Sequence, residues 1–174
     1  MNIFYLHHSY KKCAKMHIKQ HVIKQILEYC QILSTVHHLN KNFDNYDLIK
    51  DFLYKPTHIN HPSVKWVCES INHYKWLVNL TGELLKIFNK NRLKNHKCTY
   101  ILKILKENLA NLKNKPFRQP PSVTNGISYF DNDSRINYRN YYLEVKSVKN
   151  TIKMEWFGKA PNWYIKKRAS LDLY

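Results

Sequence analysis

Apolar residues recur every three or four positions along most of this chain. The spacing is clearest over 11–36, where one face collects isoleucine, valine, leucine and tyrosine side chains, and it returns over 63–88, 98–112 and 134–148. A shorter helix is expected over 46–53. These periods predict a mainly α-helical protein.

Two stretches depart from the helical period. Residues Asn2–Leu6 are apolar and aromatic, which predicts a short N-terminal strand. Residues 113–125 contain three prolines and predict an irregular arm. We expect one compact domain over 1–174, in which residues 126–174 form a further helix and an aromatic, basic C-terminal arm that packs on the rest.

The chain carries a large positive charge, formally +17, from 29 lysine and arginine residues against 12 acidic residues. This charge exceeds what solubility requires and favours a polyanionic partner, for which we expect nucleic acid, and DNA in particular. Only five of the cations are arginine, and the wealth of lysine, asparagine, isoleucine and tyrosine is also what an AT-rich genome encodes. The charge therefore indicates a class of partner without naming a reaction.

Neither an export signal nor a membrane span is visible. The N-terminus turns polar after six residues, too early for the apolar region of a signal peptide. No apolar run approaches the ~20 residues that cross a bilayer. The four cysteines lack the spacing of a disulfide framework or a zinc pair. We expect an intracellular protein with reduced thiols.

Four chemically versatile side chains are expected on one stripe of the first long helix. His17, His21, Lys24 and Glu28 follow at spacings of four, three and four residues, within about 60° of each other around a helix. Two imidazoles, an amine and a carboxylate can transfer protons or form an imine. The alternatives are a solvated face with a Lys24–Glu28 pair, and two histidine ligands of a metal whose third ligand the sequence does not dictate.

A polar segment framed by prolines precedes the second long helix. His58 and His61 lie three residues apart just before Pro62, which suits the first turn of a helix. With Asn60 they would lie beside free backbone N–H groups that attract phosphate, and the alternatives are a capping role and a metal pair. Glu69 lies on the helix that follows, where it is expected to share a cleft with this segment.

Aromatic and basic residues interleave near the C-terminus. Because rings stack on unpaired bases and cations contact phosphates, this pattern predicts nucleic-acid binding; the alternative is that the aromatic residues pack on the helices. Together with Asn60, the predicted binding residues are Tyr138, Arg139, Trp163, Lys166, Lys167 and Arg168.

Several motifs resemble a family of small proteins of tailed phages and giant viruses. They include His21-Val-Ile-Lys24, Thr57-His-Ile-Asn-His-Pro62, Tyr138-Arg-Asn-Tyr-Tyr142 and Pro161-Asn-Trp163, and the likeness covers most of the chain. The resemblance implies a DNA-processing protein of viral type, located in a host cytoplasm, a virus factory or a virion.

The order of segments also resembles, more remotely, that of the phage-type pyrimidine-dimer DNA glycosylases. Those enzymes are small, helical and basic, and attack the sugar of a damaged nucleotide with an N-terminal α-amine, assisted by a helix carboxylate. The resemblance implies that Glu28 is the carboxylate here. The helix carries His17, His21 and Lys24 where those enzymes place arginines, so Lys24 is a second candidate nucleophile.

The leading hypothesis is a DNA glycosylase with lyase activity on damaged pyrimidines, without a cofactor. The alternatives are a non-catalytic nucleic-acid-binding protein and a histidine-based hydrolase of nucleotides or nucleic acid, which could use a metal. The candidate catalytic residues are His17, His21, Lys24, Glu28, His58, His61 and Glu69.

Overall fold

Eight α-helices form the main regular structure in this computed structural model, which describes residues 1–41, 45–148 and 152–171. They are α1 (Tyr10–Met16), α2 (Lys19–Leu39), α3 (Tyr46–Ile49), α4 (Pro62–Cys68), α5 (Ile71–Arg92), α6 (Thr99–Glu107), α7 (Ser134–Asn140) and α8 (Asn162–Leu171). A 3-10 turn, Lys50–Phe52, follows α3, and a π-helical turn, Tyr141–Lys146, continues α7. Parts of the predicted C-terminal region, 149–151 and 172–174, lie outside the described residues.

The core lies between α2 and α5, the two longest helices, with α1, α4 and α6 packed around them. The apolar face predicted for the first long helix is buried, as Val22, Ile26 and Leu33 are at most 1 % exposed. The mainly α-helical fold is confirmed. Among the described residues, no helix is both long and apolar enough to cross a membrane.

The helix predicted over 11–36 is broken after Met16. His17 and Ile18 have extended backbones, and α2 begins only at Lys19. The C-terminal part of the chain satisfies the backbone groups at the break, because the Trp156 indole N–H donates to the Met16 carbonyl (2.8 Å) and the Lys19 N–H donates to the Glu155 carbonyl (2.7 Å). His17 therefore does not share a helix with Glu28.

The helix predicted over 63–88 is broken in the same way, at Ser70. Its hydroxyl oxygen accepts from the Asn72 N–H (3.2 Å) and so caps α5, while its O–H donates to the Lys115 carbonyl (2.7 Å). The proline arm thus supplies the bond that fixes the break. Residues 113–125 contain no helix or strand, as expected.

The N-terminal strand prediction is wrong. Residues Asn2–Leu6 have no regular secondary structure and pair with no strand among the described residues. Side chains bond their backbone instead: the Tyr29 hydroxyl oxygen accepts from the Phe4 N–H (3.0 Å), and the Cys13 sulfur accepts from the Leu6 N–H (3.3 Å). A single segment buried among helices has no neighbouring strand to pair with. The predicted C-terminal arm is partly helical, since it contains α8. This helix packs on the π-helical turn.

The C-terminal end of α5 has an unusual backbone. Leu93, directly after the helix, has φ +51° and ψ +32°, in the left-handed region, and its side chain is 92 % exposed. A residue with a Cβ pays about 1–2 kcal/mol in this conformation, which is why glycine usually occupies it.

Candidate functional site

An amine and a carboxylate lie close together where the start of the N-terminal segment contacts α2. The Met1 α-amine lies 4.0 Å from Glu28 Oε2, and the Lys24 Nζ lies 3.3 Å from Glu28 Oε1. The Glu28 side chain is 15 % exposed, whereas that of Lys24 is 66 % exposed. One half-enclosed carboxylate therefore faces two amines, of which the α-amine is the more sheltered.

A buried chain of hydrogen bonds fixes the segment that carries Met1. The Phe4 N–H donates to the Tyr29 oxygen, the Tyr29 O–H points to His17 Nε2 (3.4 Å), and His17 Nδ1–H donates to the Cys13 carbonyl (2.9 Å). In addition, the Asn2 side-chain amide donates to the Val123 carbonyl (2.7 Å). The α-amine is thus held against Glu28 by contacts on both sides of the segment.

Replacing Tyr29 with Phe is expected to lower the free energy of unfolding by about 1–3 kcal/mol, because it leaves the buried Phe4 N–H and His17 Nε2 without partners. Urea unfolding followed by circular dichroism measures this. The matched control is Tyr100→Phe on α6, where the side chain is 62 % exposed and a change within about 0.5 kcal/mol is expected. Equal losses in the two variants would contradict the role of the Tyr29 hydroxyl.

The two histidines predicted on the stripe are in the core, which corrects their assignment as catalytic groups. His17 and His21 are 1 % and 4 % exposed, and His21 Nδ1 lies 2.8 Å from the Tyr142 hydroxyl with its ring 4.1 Å from that of Phe4. Burial lowers the pKa of His17 to about 4 and that of His21 well below its usual value. Such neutral, enclosed imidazoles support the fold, and a DNA strand cannot reach them.

The segment with the other two histidines lies against α2 next to Glu28. Thr35, seven residues or about two turns beyond Glu28, accepts from the Thr57 N–H (3.1 Å) and anchors the segment. His61 caps α4, as its Nδ1 accepts from the Ser63 N–H (3.1 Å). The capping prediction for this position is confirmed.

The charges of Met1 and Glu28 both affect the pKa of His61. Burial lowers its pKa, the positive charges of the Met1 α-ammonium and His58 lower it further, and the Glu28 carboxylate opposes these effects. His58 is exposed, with a left-handed backbone (φ +50°), and its Nδ1 lies 2.6 Å from the Thr57 hydroxyl. The structure thus places the Met1 and Lys24 amines within 4.0 Å of the Glu28 carboxylate, and the charges of Met1 and Glu28 affect the pKa of His61.

Glu28 also lines an open pocket of about 730 Å³, here called the basic pocket. Its apolar wall includes Ile23 and Leu27 of α2, which are 36 % and 40 % exposed. Its rim carries the amines of Lys24, Lys94 and Lys97. Sequence reasoning missed the last two, although the segment 84–106 holds seven lysine or arginine residues and no acidic residue.

Glu69 occupies a different place from Glu28. It ends α4, the helix that His61 begins, and its carboxylate is paired with the Arg118 guanidinium at 2.7 Å. It does share an open pocket of about 540 Å³ with Asn60 and Pro62, as expected. Because its carboxylate is paired with Arg118 and lines a different pocket, we leave Glu69 out of the site around Glu28.

Several residues predicted to bind nucleic acid instead hold the C-terminal region in place. Tyr138 is fully buried and its hydroxyl donates to the Pro121 carbonyl (3.1 Å), so it cannot stack on a base. The Arg139 guanidinium donates to the Leu6 carbonyl (2.8 Å) and lies 5.3 Å from the centre of the Trp163 ring. Burial corrects the assignment of Tyr138 as a base contact, whereas Arg139 and Trp163 are partly exposed and stay predictions. Lys166 and Lys167 on α8 are exposed, Arg168 is partly exposed, and Asn60 is exposed.

Comparison with known proteins gave no match. No protein-family model matches the sequence, and neither curated proteins nor solved structures gave a match. Within residues 1–41, 45–148 and 152–171, no group of three or more histidine, cysteine, aspartate or glutamate side chains is placed to hold a metal ion.

Proposed function

We propose that this chain is a DNA glycosylase with lyase activity, in which the Met1 α-amine is the nucleophile and Glu28 is the acid–base group. The observation that carries the proposal is the 4.0 Å approach of the α-amine to Glu28 Oε2 at the edge of the basic pocket. An amine next to a carboxylate is the pair that imine chemistry at a sugar carbon requires. The proposed reaction requires that the α-amine of residue 1 is free.

The reaction begins at C1′ of a damaged nucleotide. The neutral amine attacks C1′, the glycosidic bond breaks, and the base leaves with its electron pair and takes up a proton. Glu28 accepts the proton that the amine loses, directly or through one water. The nitrogen lone pair then forms the C1′=N bond as the C1′–O4′ bond breaks, O4′ takes the proton that Glu28 holds, and the ring-opened sugar is bound as a protonated imine. Glu28, again a carboxylate, accepts a proton from C2′, directly or through water, and the C3′–O bond breaks as the 3′ phosphate leaves with its electron pair. Water then hydrolyses the imine, which releases the sugar aldehyde and returns the amine.

The surroundings of the pair suit a DNA strand. Lys24, Lys94 and Lys97 can contact phosphates at the rim of the basic pocket, and the Ile23 and Leu27 side chains offer an apolar wall. His61, held neutral by its environment, can exchange a proton with the leaving base or the sugar.

Lys24 could form the same imine, and geometry favours Met1 over it. The α-amine belongs to a segment fixed by hydrogen bonds, whereas the Lys24 amine ends a flexible side chain that is 66 % exposed. Imine formation gains most from an amine already held in place, because less freedom is lost on reaction.

Borohydride trapping on duplex DNA with one abasic site or one thymine dimer tests the proposal. Chain with a free Met1 amine, confirmed by mass spectrometry, is expected to give a covalent adduct on at least one duplex. An extension of several residues before Met1 moves the amine away and is expected to abolish the adduct. Binding of both duplexes without any adduct would overturn the enzyme assignment and leave a non-catalytic DNA-binding protein.

A further inference from the structure

A nearly fully exposed leucine is the first residue of the loop that follows α5. Leu93 is 92 % exposed and holds a left-handed backbone conformation that favours glycine. Neither feature helps the fold, since the side chain buries no apolar surface and the backbone is strained. Strained residues concentrate at sites of binding and catalysis.

The loop holds Leu93 in a fixed position. The Asn89 side chain, near the end of α5, bonds the far end of the loop: its oxygen accepts from the His96 N–H (3.1 Å), and its amide donates to the Asn95 side-chain oxygen (3.3 Å). The His96 ring packs edge-on against Phe88, with 4.8 Å between ring centres. The leucine is therefore presented by a braced turn.

Cations surround the exposed side chain. Arg92 and Lys94 flank Leu93 in the sequence, and both are exposed, as is Lys97, four residues after Leu93. The segment 84–106 contains no acidic residue that would neutralise them. Lys94 and Lys97 also line the basic pocket that contains Glu28, so the loop that Leu93 begins borders the proposed reaction centre.

We propose that Leu93 is a wedge that inserts between stacked bases of duplex DNA while Arg92 and Lys94 contact the adjoining phosphates. The inference rests on the proposed function, because it places the opened base step next to the nucleotide that reacts at Glu28. Apolar side chains inserted between base steps unstack and kink a duplex, and a nucleotide must leave the stack before an enzyme can act on its C1′.

The test uses two variants and one control. Leu93→Asn keeps the side-chain size and tolerates a left-handed backbone, but it removes the apolar wedge. Leu93→Met keeps an apolar wedge. The control is Leu48→Ala, which removes another exposed leucine, 73 % exposed on α3, away from the basic pocket. Each chain is mixed with abasic DNA that carries 2-aminopurine beside the abasic site, as duplex and as single strand.

In the duplex, we expect binding of the unsubstituted chain to raise 2-aminopurine fluorescence through unstacking. Leu93→Asn is expected to lose most of this rise and to slow duplex trapping by about 10- to 100-fold, the cost of opening one base step without a wedge. Trapping on the single strand should change by no more than about twofold, because that strand needs no opening. Leu93→Met and Leu48→Ala are expected to behave like the unsubstituted chain.

A full fluorescence rise with Leu93→Asn would overturn the wedge, as would equal slowing on duplex and single strand. An equal rise with duplex RNA would overturn the assignment to DNA. Failure of the proposed function has a different signature: the unsubstituted chain would give no adduct on either form of DNA, while the Leu93-dependent fluorescence rise would remain.

Discussion

Replacing Glu28 with Gln is expected to slow adduct formation on abasic DNA by about 10²- to 10⁴-fold, the usual contribution of a positioned acid–base group. The amide has almost the same shape, so the fold around Met1 is retained. It cannot accept the proton that the α-amine loses, and it no longer compensates the positive charge of the imine. Single-turnover trapping rates at saturating enzyme measure the chemical step separately from DNA binding.

The chain offers a matched control for this substitution. Glu83 on α5 is also partly buried, with its side chain 22 % exposed, and pairs with a lysine of its own helix, Lys86, at 2.8 Å. Glu83→Gln removes the same charge, and its trapping rate is expected to stay close to that of the unsubstituted chain. If Glu28→Gln reacts as fast as Glu83→Gln, the role of Glu28 in the chemistry is contradicted.

Acid is expected to unfold the protein through its buried histidines. Burial holds the pKa values of both His17 and His37 near 4, against an ordinary value of 6.5, and lowers that of His21 as well. Below pH 6.5 the unfolded chain takes up these protons while the folded chain does not, so stability falls as pH drops and the loss ends near pH 4. Between pH 6.5 and pH 4, His17 and His37 are each expected to lower the free energy of unfolding by about 3 kcal/mol.

Urea unfolding at several pH values between 7 and 4 checks this expectation, and the slope against pH counts the protons taken up on unfolding. His37→Gln replaces a fully buried histidine and is expected to lower that count by about one. His8→Gln replaces an exposed histidine and serves as the control. A stability that is level from pH 7 to pH 4.5 would contradict the burial of neutral imidazoles.

Periodicity predicted the helices well but could not predict where they break. The apolar face of α2 followed directly from the spacing of Val22, Ile26 and Leu33. The break before Lys19 depends on bonds from Glu155 and Trp156, more than 130 residues later in the chain, and local spacing carries no trace of such partners. For the same reason, the stripe prediction placed His17 on the helix that carries Glu28, whereas His17 lies in the break between α1 and α2.

Only part of the candidate site could be predicted from the sequence. Glu28 and Lys24 lie together because they are four residues apart on one helix, which spacing predicts. The Met1 α-amine entered only through the resemblance to known glycosylases, because its place beside Glu28 depends on the tertiary contacts of Phe4. Lys94 and Lys97 lie in a basic run without an acidic residue, a local signal that none of the predicted motifs includes.

The most direct measurement is the location of the covalent adduct. After borohydride trapping on abasic DNA, tryptic digestion and tandem mass spectrometry identify the modified residue. We predict that the sugar remnant is on the Met1 α-amine, in the peptide of residues 1–11 that trypsin releases after Lys11. A remnant on Lys24 or another lysine, or no adduct at all, would contradict the assignment of the α-amine as the nucleophile.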